Sequence, residues 1–289
     1  MTTPPTVRAF FQPSTWTLTY VVYDASTGDA LLVDPALDYE PRASVLSFEA
    51  LDEVLDFVGE QKLNLHAVVD THVHADHLTA MHEVKKRLQI PSLISERVIG
   101  VQEVFGDLFK FAPDRMARDG SQFDQLIRDK QPMQFGSLAL TALPTPGHTP
   151  ACQSLMIGDA VFTGDTLFMP DSGTGRCDFP KGSAADLYDG IQNELYTLDD
   201  ATRVFVGHDY QPHGRELQYE TTIGAQKQNN TMLPADISKD DFVQKREARD
   251  ATLAAPNLLF QSVQYNVNAG VLPDPGGFLR IPLRIKDGE

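Results

Sequence analysis

The chain has 289 residues, of which 42% are hydrophobic and 22% are charged, a composition typical of globular proteins. No run approaches the roughly 18 consecutive apolar residues of a membrane span, and residues 1–5 lack the basic and apolar regions of a signal peptide. The two cysteines give no basis for a disulfide framework. These features predict a cytoplasmic protein without a membrane partner, and the net charge of −16 argues against a nucleic-acid partner, which would need a basic face.

The first half of the chain alternates predicted strands and helices. Residues 7–34 show the two-residue alternation of β-strands, and residues 49–61 show the apolar stripe of a helix. A short apolar run at 63–70 is a further predicted strand, and a helix is predicted over residues 76–87. Residues 100–131 break these patterns and are interpreted as an ordered insertion.

The second half returns to strands and ends in a less regular segment. Ser238, with Asp241 three residues later, resembles the N-cap of a helix. The tail from Phe260 onward is predicted to be irregular because it is rich in proline. The remaining predicted elements are strands at 138–143, 154–157, 160–163 and 203–206, and a helix at 186–198.

The domain organisation follows from how these elements alternate. They do so without an internal repeat, a low-complexity run or a flexible linker. The economical prediction is one domain over residues 1–289, of α+β or layered α/β type. Residues 211–289 would then be a C-terminal helical and irregular extension of the same domain.

Histidine and aspartate side chains follow the ends of the predicted strands. An apolar strand at 67–69 leads into His72, His74, Asp76 and His77. Side chains alternate along an extended backbone, so the first three point the same way, and His77 lies beside them once the predicted helix begins. These residues are therefore expected to converge on a small volume, and a merely solvated cluster at the mouth of an apolar strand is the less favoured alternative.

Three further strand ends each offer one ligand. His148 lies in a turn rich in proline and glycine, and Asp165 and His208 each follow an apolar strand and a glycine. A histidine in a turn, or an aspartate that caps one, is common in isolation. Beside the first cluster, however, these residues become candidate ligands. Imidazole and carboxylate groups without cysteine suit Zn, Fe or Mn in a catalytic site.

The other histidines and both cysteines are interpreted as structural. His66, His82 and His213 are assigned to a strand, a helix surface and a loop. Cys152 and Cys177 lie too far apart in sequence for a zinc-ribbon pair and are assigned to the core or its border with the site.

The motif His-x-His-x-Asp-His at 72–77, followed in order by His148, Asp165 and His208, resembles the ligand set of the metallo-β-lactamase superfamily over about residues 7–210. The resemblance implies a layered αβ/βα sandwich, in which two mixed β-sheets are flanked by helices and the site lies at one sheet edge. Because this fold serves many reactions, it does not by itself identify the reaction.

Further segments resemble the persulfide dioxygenases, also called sulfur dioxygenases, within that superfamily. There, one Fe(II) is bound by the residues that correspond to His72, His148 and Asp165, which leaves three coordination positions open. The resemblance thus implies one Fe(II) per chain. The resemblance to persulfide dioxygenases rests on residues 171–180 (Asp-Ser-Gly-Thr-Gly-Arg-Cys-Asp-Phe-Pro), 186–188, 207–210 and 246–250. The whole chain, including residues 100–131 and 266–283, is similar to the longer bacterial branch of the family.

The implied reaction is the oxidation of glutathione persulfide by O₂ to sulfite and glutathione. By the same resemblance, His74, Asp76, His77 and His208 surround the iron without binding it. The alternative is a glyoxalase II-type hydrolase, in which all seven residues hold two Zn(II) ions and a glutathione thioester is hydrolysed. The segment 176–179 favours the dioxygenase. A metal-binding scaffold or sensor without activity is a third, less favoured interpretation.

Four residues are candidates for binding the substrate. Arginine forms bidentate pairs with carboxylates, and the glutathione tripeptide carries two of these. Each arginine could instead hold a loop in place through a nearby aspartate, and the tyrosine could pack beside His208. The candidates are Arg176, Arg215 and Arg246, with Asp178, Asp209 and Asp250 as their alternative partners, and Tyr210. The oligomeric state is left open, with a homo-oligomer allowed.

Overall fold

Two mixed β-sheets face each other in the computed structural model, which describes residues 4–274 and 276–283. Residues 1–3, 275 and 284–289, and with them both ends of the predicted domain, lie outside the described residues. In chain order the strands are β1 (Thr6–Gln12), β2 (Thr17–Tyr23), β3 (Asp29–Val33), β4 (Ala36–Glu40), β5 (Val45–Ser47), β6 (Asn64–Val69), β7 (Leu78–Thr79), β8 (Ser92–Ser95), β9 (Gln125–Ile127), β10 (Met133–Phe135), β11 (Leu138–Pro144), β12 (Gln153–Ile157), β13 (Ala160–Phe162), β14 (Arg203–Phe205) and β15 (Glu220–Thr222). The α-helices are α1 (Glu49–Glu60), α2 (Met81–Leu88), α3 (Val98–Phe109), α4 (Ala184–Gly190), α5 (Ile223–Asn229), α6 (Lys239–Asp250) and α7 (Leu259–Asn266).

Each of the two large sheets has six strands and contains both parallel and antiparallel pairs. The first has the order β1-β2-β3-β6-β8-β9, antiparallel from β1 to β3 and parallel from β3 to β9. The second has the order β10-β11-β12-β13-β14-β15, in which β13 and β14 are parallel. A small third sheet has the order β5-β4-β7. In parallel neighbours the carboxyl ends lie at the same edge, so the loops after β3 and β6 meet there, as do those after β13 and β14.

Apolar side chains between the sheets form the main core. Strand alternation directs Tyr20, Val22 and Leu31 to the inner face of the first sheet, whereas Val21 and Leu32 point to its outer face. Helices α1, α2, α3 and α7 cover that outer face with a second apolar cluster. Helices α4 and α6 pack against each other, and the π-helical turn that continues α4 contacts β11. The layered αβ/βα sandwich predicted from the sequence is confirmed.

Most of the elements predicted from periodicity are present. Strands β1 to β3 occupy the alternating segment, and α1 buries Leu51, Val54 and Val58 on one face. The side chain of Ser238 accepts a hydrogen bond from the backbone N–H of Asp241 at 3.2 Å, so it is the N-cap of α6 as predicted. No α-helix of the described part of the chain is long and apolar enough to cross a membrane.

The helix predicted over residues 76–87 begins later than expected, at Met81. Residues 78 and 79 instead form β7, which pairs with β4, and the Ala80 N–H donates to the carbonyl oxygen of Pro35 at 2.7 Å. This tertiary pairing keeps the chain extended after His77, although its local sequence is compatible with a helix. The prediction for the helix start was therefore wrong.

The tail predicted to be irregular from Phe260 onward contains α7, so that prediction was wrong for residues 260–266. Val263 and Val267 are buried four residues apart against the outer face of the first sheet, which is the helical spacing. The prolines that suggested irregularity lie outside the helix. Residues 100–131, interpreted as an insertion, contain most of α3 and all of β9, which extends the first sheet. Whether this segment is an insertion stays a prediction.

Candidate metal centre

All seven residues of the predicted ligand set lie at one edge of the sandwich, where β6 of the first sheet and β11, β13 and β14 of the second sheet end. The loop after β6 carries four of them, and each of the other strands is followed by one. Their potential ligand atoms form two groups, and within each group these atoms lie within 4.8 Å of one another. The first group is His72, His148 and Asp165, and the second is His74, Asp76, His77 and His208.

The first group is a compact set of two imidazoles and one carboxylate. Nε2 of His148 lies 3.5 Å from Oδ2 of Asp165, and the centroids of the His72 and His148 rings are 5.1 Å apart. His72 is only 1% exposed, and the other two residues are also buried. This group can hold one metal ion through three protein ligands.

The second group is joined to the first through a shared neighbour. Nε2 of His208 lies 3.3 Å from Oδ2 of Asp76 and 3.3 Å from Oδ1 of Asp165. The hydroxyl of Thr17 lies 3.2 Å from Nδ1 of His77 and 3.4 Å from Asp76 Oδ2. The sequence had not suggested Thr17, which is brought there by the bridge between it and His208. The second group could hold a second ion.

One nitrogen of each imidazole in the first group is occupied by a hydrogen bond. Nδ1 of His148 donates to the carbonyl oxygen of Arg176 at 2.7 Å. Nδ1 of His72 lies 3.1 Å from the hydroxyl of Thr71, which itself donates to Asp34 Oδ2 at 2.8 Å, so the histidine is the donor. Both Nε2 atoms therefore keep their lone pairs for a metal.

Asp34, which the sequence had not suggested as a functional residue, orients the loop after β6. Its Oδ1 accepts from the backbone N–H of Thr71 at 2.6 Å and lies 3.1 Å from Nε2 of His74. This contact leaves Nδ1 of His74 free to face the site. Asp34 follows the apolar strand β3 directly, the same signal that pointed to Asp165, but a carboxylate at a strand end is most often a turn cap.

Buried atoms with unused lone pairs point into the centre. A buried polar atom without a partner is costly, so nearly all such atoms in folded proteins are paired or bind an ion. The donor set of imidazole and carboxylate fits Fe, Zn or Mn, and we conclude that this is a metal centre. The buried atoms of the centre that have no hydrogen-bond partner among the described residues include Nε2 of His72, His77 and His208, Nδ1 of His74 and Oδ1 of Asp165.

Burial and neighbouring charges shift the pKa values of three histidines in the centre. Burial, and then the neighbouring imidazole of His74, lowers the pKa of His72 well below its usual value, so that ring is neutral and ready to bind a metal. Burial likewise lowers the pKa of His74. Burial also acts to lower the pKa of His208, but the carboxylates of Asp76 and Asp165 outweigh it and raise that pKa.

Two glycines allow the strand ends to approach each other closely. Gly164, with φ of +47°, lies so near the metal loop that a side-chain carbon would be 2.4 Å from Oγ1 of Thr71. At Gly175 such a carbon would lie 2.0 Å from the carbonyl oxygen of Asp165. Any larger residue would separate Asp165 from His72.

The residues assigned a structural role lie outside both ligand groups. His66 lies in β6, His82 in α2 and His213 in a short 3₁₀ turn. Cys152 and Cys177 are buried free thiols, and burial raises the pKa of Cys152 to about 12. Neither cysteine is therefore a thiolate at neutral pH, in keeping with a metal centre of imidazoles and carboxylates.

Each of the three guanidinium nitrogens of Arg176 donates a hydrogen bond within the protein. It donates to both carboxylate oxygens of Asp178 at 2.6 Å and to the carbonyl oxygen of Ala254 at 2.6 Å. This is the loop-holding contact that the sequence offered as the alternative to substrate binding. The substrate-binding role of Arg176 stays a prediction.

The other two candidate arginines form the same kind of pair. Arg215 donates to both oxygens of Asp209, at 2.6 and 2.7 Å, and also pairs with Asp171. Arg246 is buried and donates to Oδ1 of Asp250 at 2.6 Å. Their substrate-binding roles also stay predictions.

Tyr210 packs beside the second ligand group and next to two other aromatic residues. Its ring stacks on His208 with centroids 5.6 Å apart and an interplanar angle of 11°. It contacts Phe168 at 5.6 Å and Trp16 at 6.1 Å between centroids. Tyr210 is 47% exposed and Trp16 is 42% exposed.

Comparison with known proteins connects this centre to one superfamily. The sequence profile of the metallo-beta-lactamase superfamily matches residues 17–208. The chain is 42% identical over 292 residues to a probable metallo-hydrolase of Burkholderia pseudomallei, covering 96% of this chain and 99% of that protein. It is 38% identical to glyoxylase B2 of Dictyostelium discoideum, over 91% of each protein.

The similarity extends to persulfide dioxygenases. The chain is 30% identical to the human mitochondrial persulfide dioxygenase ETHE1, over 93% of this chain and 90% of that protein. The crystal structure of ETHE1 from Myxococcus xanthus is similar with a TM-score of 0.74 and 32% identity, covering 92% of this chain and all of that one. Both similarities reach beyond residue 208, where the superfamily profile ends.

Proposed function

The chain belongs to the metallo-β-lactamase superfamily, and we propose that it is an Fe(II)-dependent persulfide dioxygenase that oxidises glutathione persulfide with O₂ to sulfite and glutathione. The observation that carries the proposal is the first ligand group, His72, His148 and Asp165. Two imidazoles and one carboxylate that leave positions open are the ligand set of non-haem Fe(II) oxygenases. The similarity to human persulfide dioxygenase over 93% of the chain supports the same reaction.

Fe(II) would supply the chemistry that allows O₂ to react with a sulfur atom. No external reductant is needed, because the terminal persulfide sulfur supplies all the electrons that O₂ accepts. One persulfide, one O₂ and one water give one glutathione thiol, one sulfite and two protons. The bond between the two sulfur atoms breaks, and the inner sulfur leaves as the thiol.

The chain's own residues orient the ligands and control access to them. The carbonyl oxygen of Arg176 and the hydroxyl of Thr71 hold the rings of His148 and His72 in place by accepting from their Nδ1 atoms. Burial of both imidazoles keeps bulk water away from the first ligand group. The exposed parts of Trp16 and Tyr210, beside the second ligand group, would offer the substrate a contact surface. Because the arginines are paired with aspartates, the Tyr210 hydroxyl is the best-placed candidate for a polar contact with the tripeptide.

A dinuclear hydrolase of glutathione thioesters is the second candidate function. It is favoured by the second ligand group and by the position of Asp165, whose two oxygens lie near His148 and His208 respectively. The higher identity to glyoxylase B2 of Dictyostelium discoideum points in the same direction. The first candidate is preferred because the first group is a complete three-ligand site on its own.

Metal content and activity separate the two candidates in one preparation. The protein is stripped of metal, loaded with Fe(II) without oxygen, and assayed for O₂ uptake with glutathione persulfide. A parallel sample is loaded with Zn(II) and assayed for hydrolysis of a glutathione thioester. About one iron per chain with sulfite formation supports the dioxygenase. Two zinc ions per chain, with thioester hydrolysis and no O₂ uptake, would establish the hydrolase instead.

We also propose that the C-terminal residues 211–283 belong to the same domain as the metal centre. The support is the position of α7, whose apolar residues join the cluster on the outer face of the first sheet. Limited proteolysis that released residues 211–283 as an independently folded fragment would contradict this.

A further inference from the structure

One residue from the C-terminal part of the chain contacts the metal loop directly. Nδ2 of Asn266 donates to the carbonyl oxygen of His74 at 2.8 Å and to that of His77 at 2.8 Å. Its Oδ1 accepts from the backbone N–H of Thr79 at 2.9 Å. Both amide hydrogens are used, and the side chain is only 2% exposed. Asn266 therefore fixes three points of one loop from a position 192 residues away from His74.

The carbonyl groups of His74 and His77 lie in the part of the loop between two other supports. The start of the loop is held by Asp34, which accepts from the Thr71 N–H, and its end is held by the pairing of β7 with β4. Between them the backbone must turn so that His74, Asp76 and His77 face the same side. A buried backbone carbonyl without a donor is costly, and Asn266 supplies donors to both carbonyls in this turn.

We propose that Asn266 is a positioning residue of the metal centre, which sets the direction of His74 and His77 through their backbone. It touches no ligand atom and would act only through the loop. The C-terminal helix α7 would then be part of the metal centre, although the superfamily profile ends at residue 208. The inference rests on the seven residues of the two ligand groups forming a metal centre but not on the proposed reaction.

The chain offers a matched control on the same helix. Gln264 is also a buried amide of α7. Among the described residues, its side chain bonds to backbone groups alone, namely the N–H and carbonyl of Arg280 and the carbonyl of Phe260. None of those groups belongs to the metal loop. Gln264→Ala therefore removes a comparable buried amide without releasing the loop.

The test uses Co(II) as a probe, because its visible absorption reports ligand geometry independently of activity. Metal-free full-length protein is titrated with Co(II), and release is then followed with excess chelator. Asn266→Ala should release Co(II) about 10- to 100-fold faster than the unaltered protein and change its absorption spectrum. Gln264→Ala should leave both unchanged while lowering the melting temperature of the metal-free protein.

A second variant keeps the test informative where Asn266→Ala fails to fold. Asn266→Asp keeps the size and the acceptor for the Thr79 N–H, but it places an oxygen against the two carbonyls. It should change the Co(II) spectrum and accelerate release in the same way. Wild-type release and spectrum in Asn266→Asp, or equal changes in Gln264→Ala, would overturn the inference. If the unaltered protein binds no Co(II), the proposed ligand set itself is wrong.

Discussion

Oδ1 of Asp165 lies 3.3 Å from Nε2 of His208, so one carboxylate is shared between the two ligand groups. The same residue reaches Nε2 of His148 with its other oxygen, at 3.5 Å. This arrangement permits either one ion, with His208 as a neighbour of its carboxylate ligand, or two ions bridged by Asp165. The two cases assign different roles to His208, which makes that residue the best position at which to distinguish them.

His208→Gln should leave the iron content near one per chain and lower O₂ uptake by about 10- to 100-fold. The reason is that His208 contacts the carboxylate ligand without binding the iron, and the loss of such a partner typically has an effect of this size. Metal analysis after oxygen-free loading, together with O₂ uptake, measures both quantities. If the unaltered protein instead holds two ions and His208→Gln loses one, His208 is a ligand and the dinuclear candidate is correct.

Asp165→Asn should abolish O₂ uptake because it removes the only anionic ligand of the first group and weakens iron binding. Asp76→Asn is the matched control, since it neutralises a carboxylate of the second group. It should be milder, with a loss of about 10- to 100-fold. Iron content and sulfite formation measured for both variants test the difference. Wild-type iron content and turnover in Asp165→Asn would show that Asp165 only holds its turn.

The location of the metal centre could be predicted from the sequence because its residues follow strand ends. His72, His148 and Asp165 each stand just past an apolar run, and local chain geometry directs such residues to a sheet edge. The packing of the two sheets then brings these strand ends together, because β6 belongs to the first sheet and β11 and β13 belong to the second. The start of α2 could not be predicted, because the pairing of β7 with β4 decides it and that pairing is a tertiary contact.

Two residues beside the ligand groups could not be assigned a role from local sequence signals alone. Asp34 follows β3 as a strand-end carboxylate, but its role depends on β3 and β6 being neighbours, which the sequence pattern did not establish. Asn266 lies in a tail that its prolines made look irregular, and no periodicity connects it with the metal loop. The contacts of Asp34 and Asn266 with the metal loop join residues that are far apart in sequence. The periodicity of a sequence reports only on the structure formed by residues close to one another in the chain.

Asp124 provides a test of stability against pH that does not involve the metal centre. Burial acts to raise its pKa, but the Lys85 ammonium and the backbone N–H and hydroxyl of Ser92 outweigh it and hold that pKa below its usual value. A carboxyl whose pKa is lowered by folding stabilises the protein above its unfolded pKa of about 3.9, and this contribution is lost as the pH falls through the folded pKa. Asp124→Asn should therefore lower the free energy of unfolding at neutral pH and much less in acid.

Urea unfolding of the metal-free protein, at neutral pH and at the lowest pH at which the protein stays folded, well below the unfolded pKa of about 3.9, measures this difference. Lys85→Met should lower the free energy of unfolding at neutral pH, and its effect should shrink when Asp124 is already Asn. The same loss for Asp124→Asn at both pH values would mean that Asp124 acts only as a neutral acceptor for Ser92.

Arg176→Lys should destabilise the loop beside the metal centre rather than weaken substrate binding selectively. The Arg176 guanidinium makes a bidentate pair with Asp178 and a further bond to Ala254, and a lysine ammonium cannot reproduce this planar arrangement. The loss should be about 1 to 3 kcal/mol in the free energy of unfolding. Because the Arg176 carbonyl also accepts from Nδ1 of His148, movement of the loop should lower iron loading as well.

The substrate range separates this expectation from a contact between Arg176 and a glutathione carboxylate. A displaced loop should impair small persulfides and glutathione persulfide equally, and Asp178→Asn should reproduce the defect, because it removes the same pair from its other side. A substrate contact would instead raise KM for glutathione persulfide alone, with iron content and melting temperature near those of the unaltered protein. In that case the Asp178→Asn variant would also still bind the tripeptide, because its Arg176 is unchanged. Steady-state kinetics of both variants with both substrates, alongside iron analysis, therefore decide which role Arg176 has.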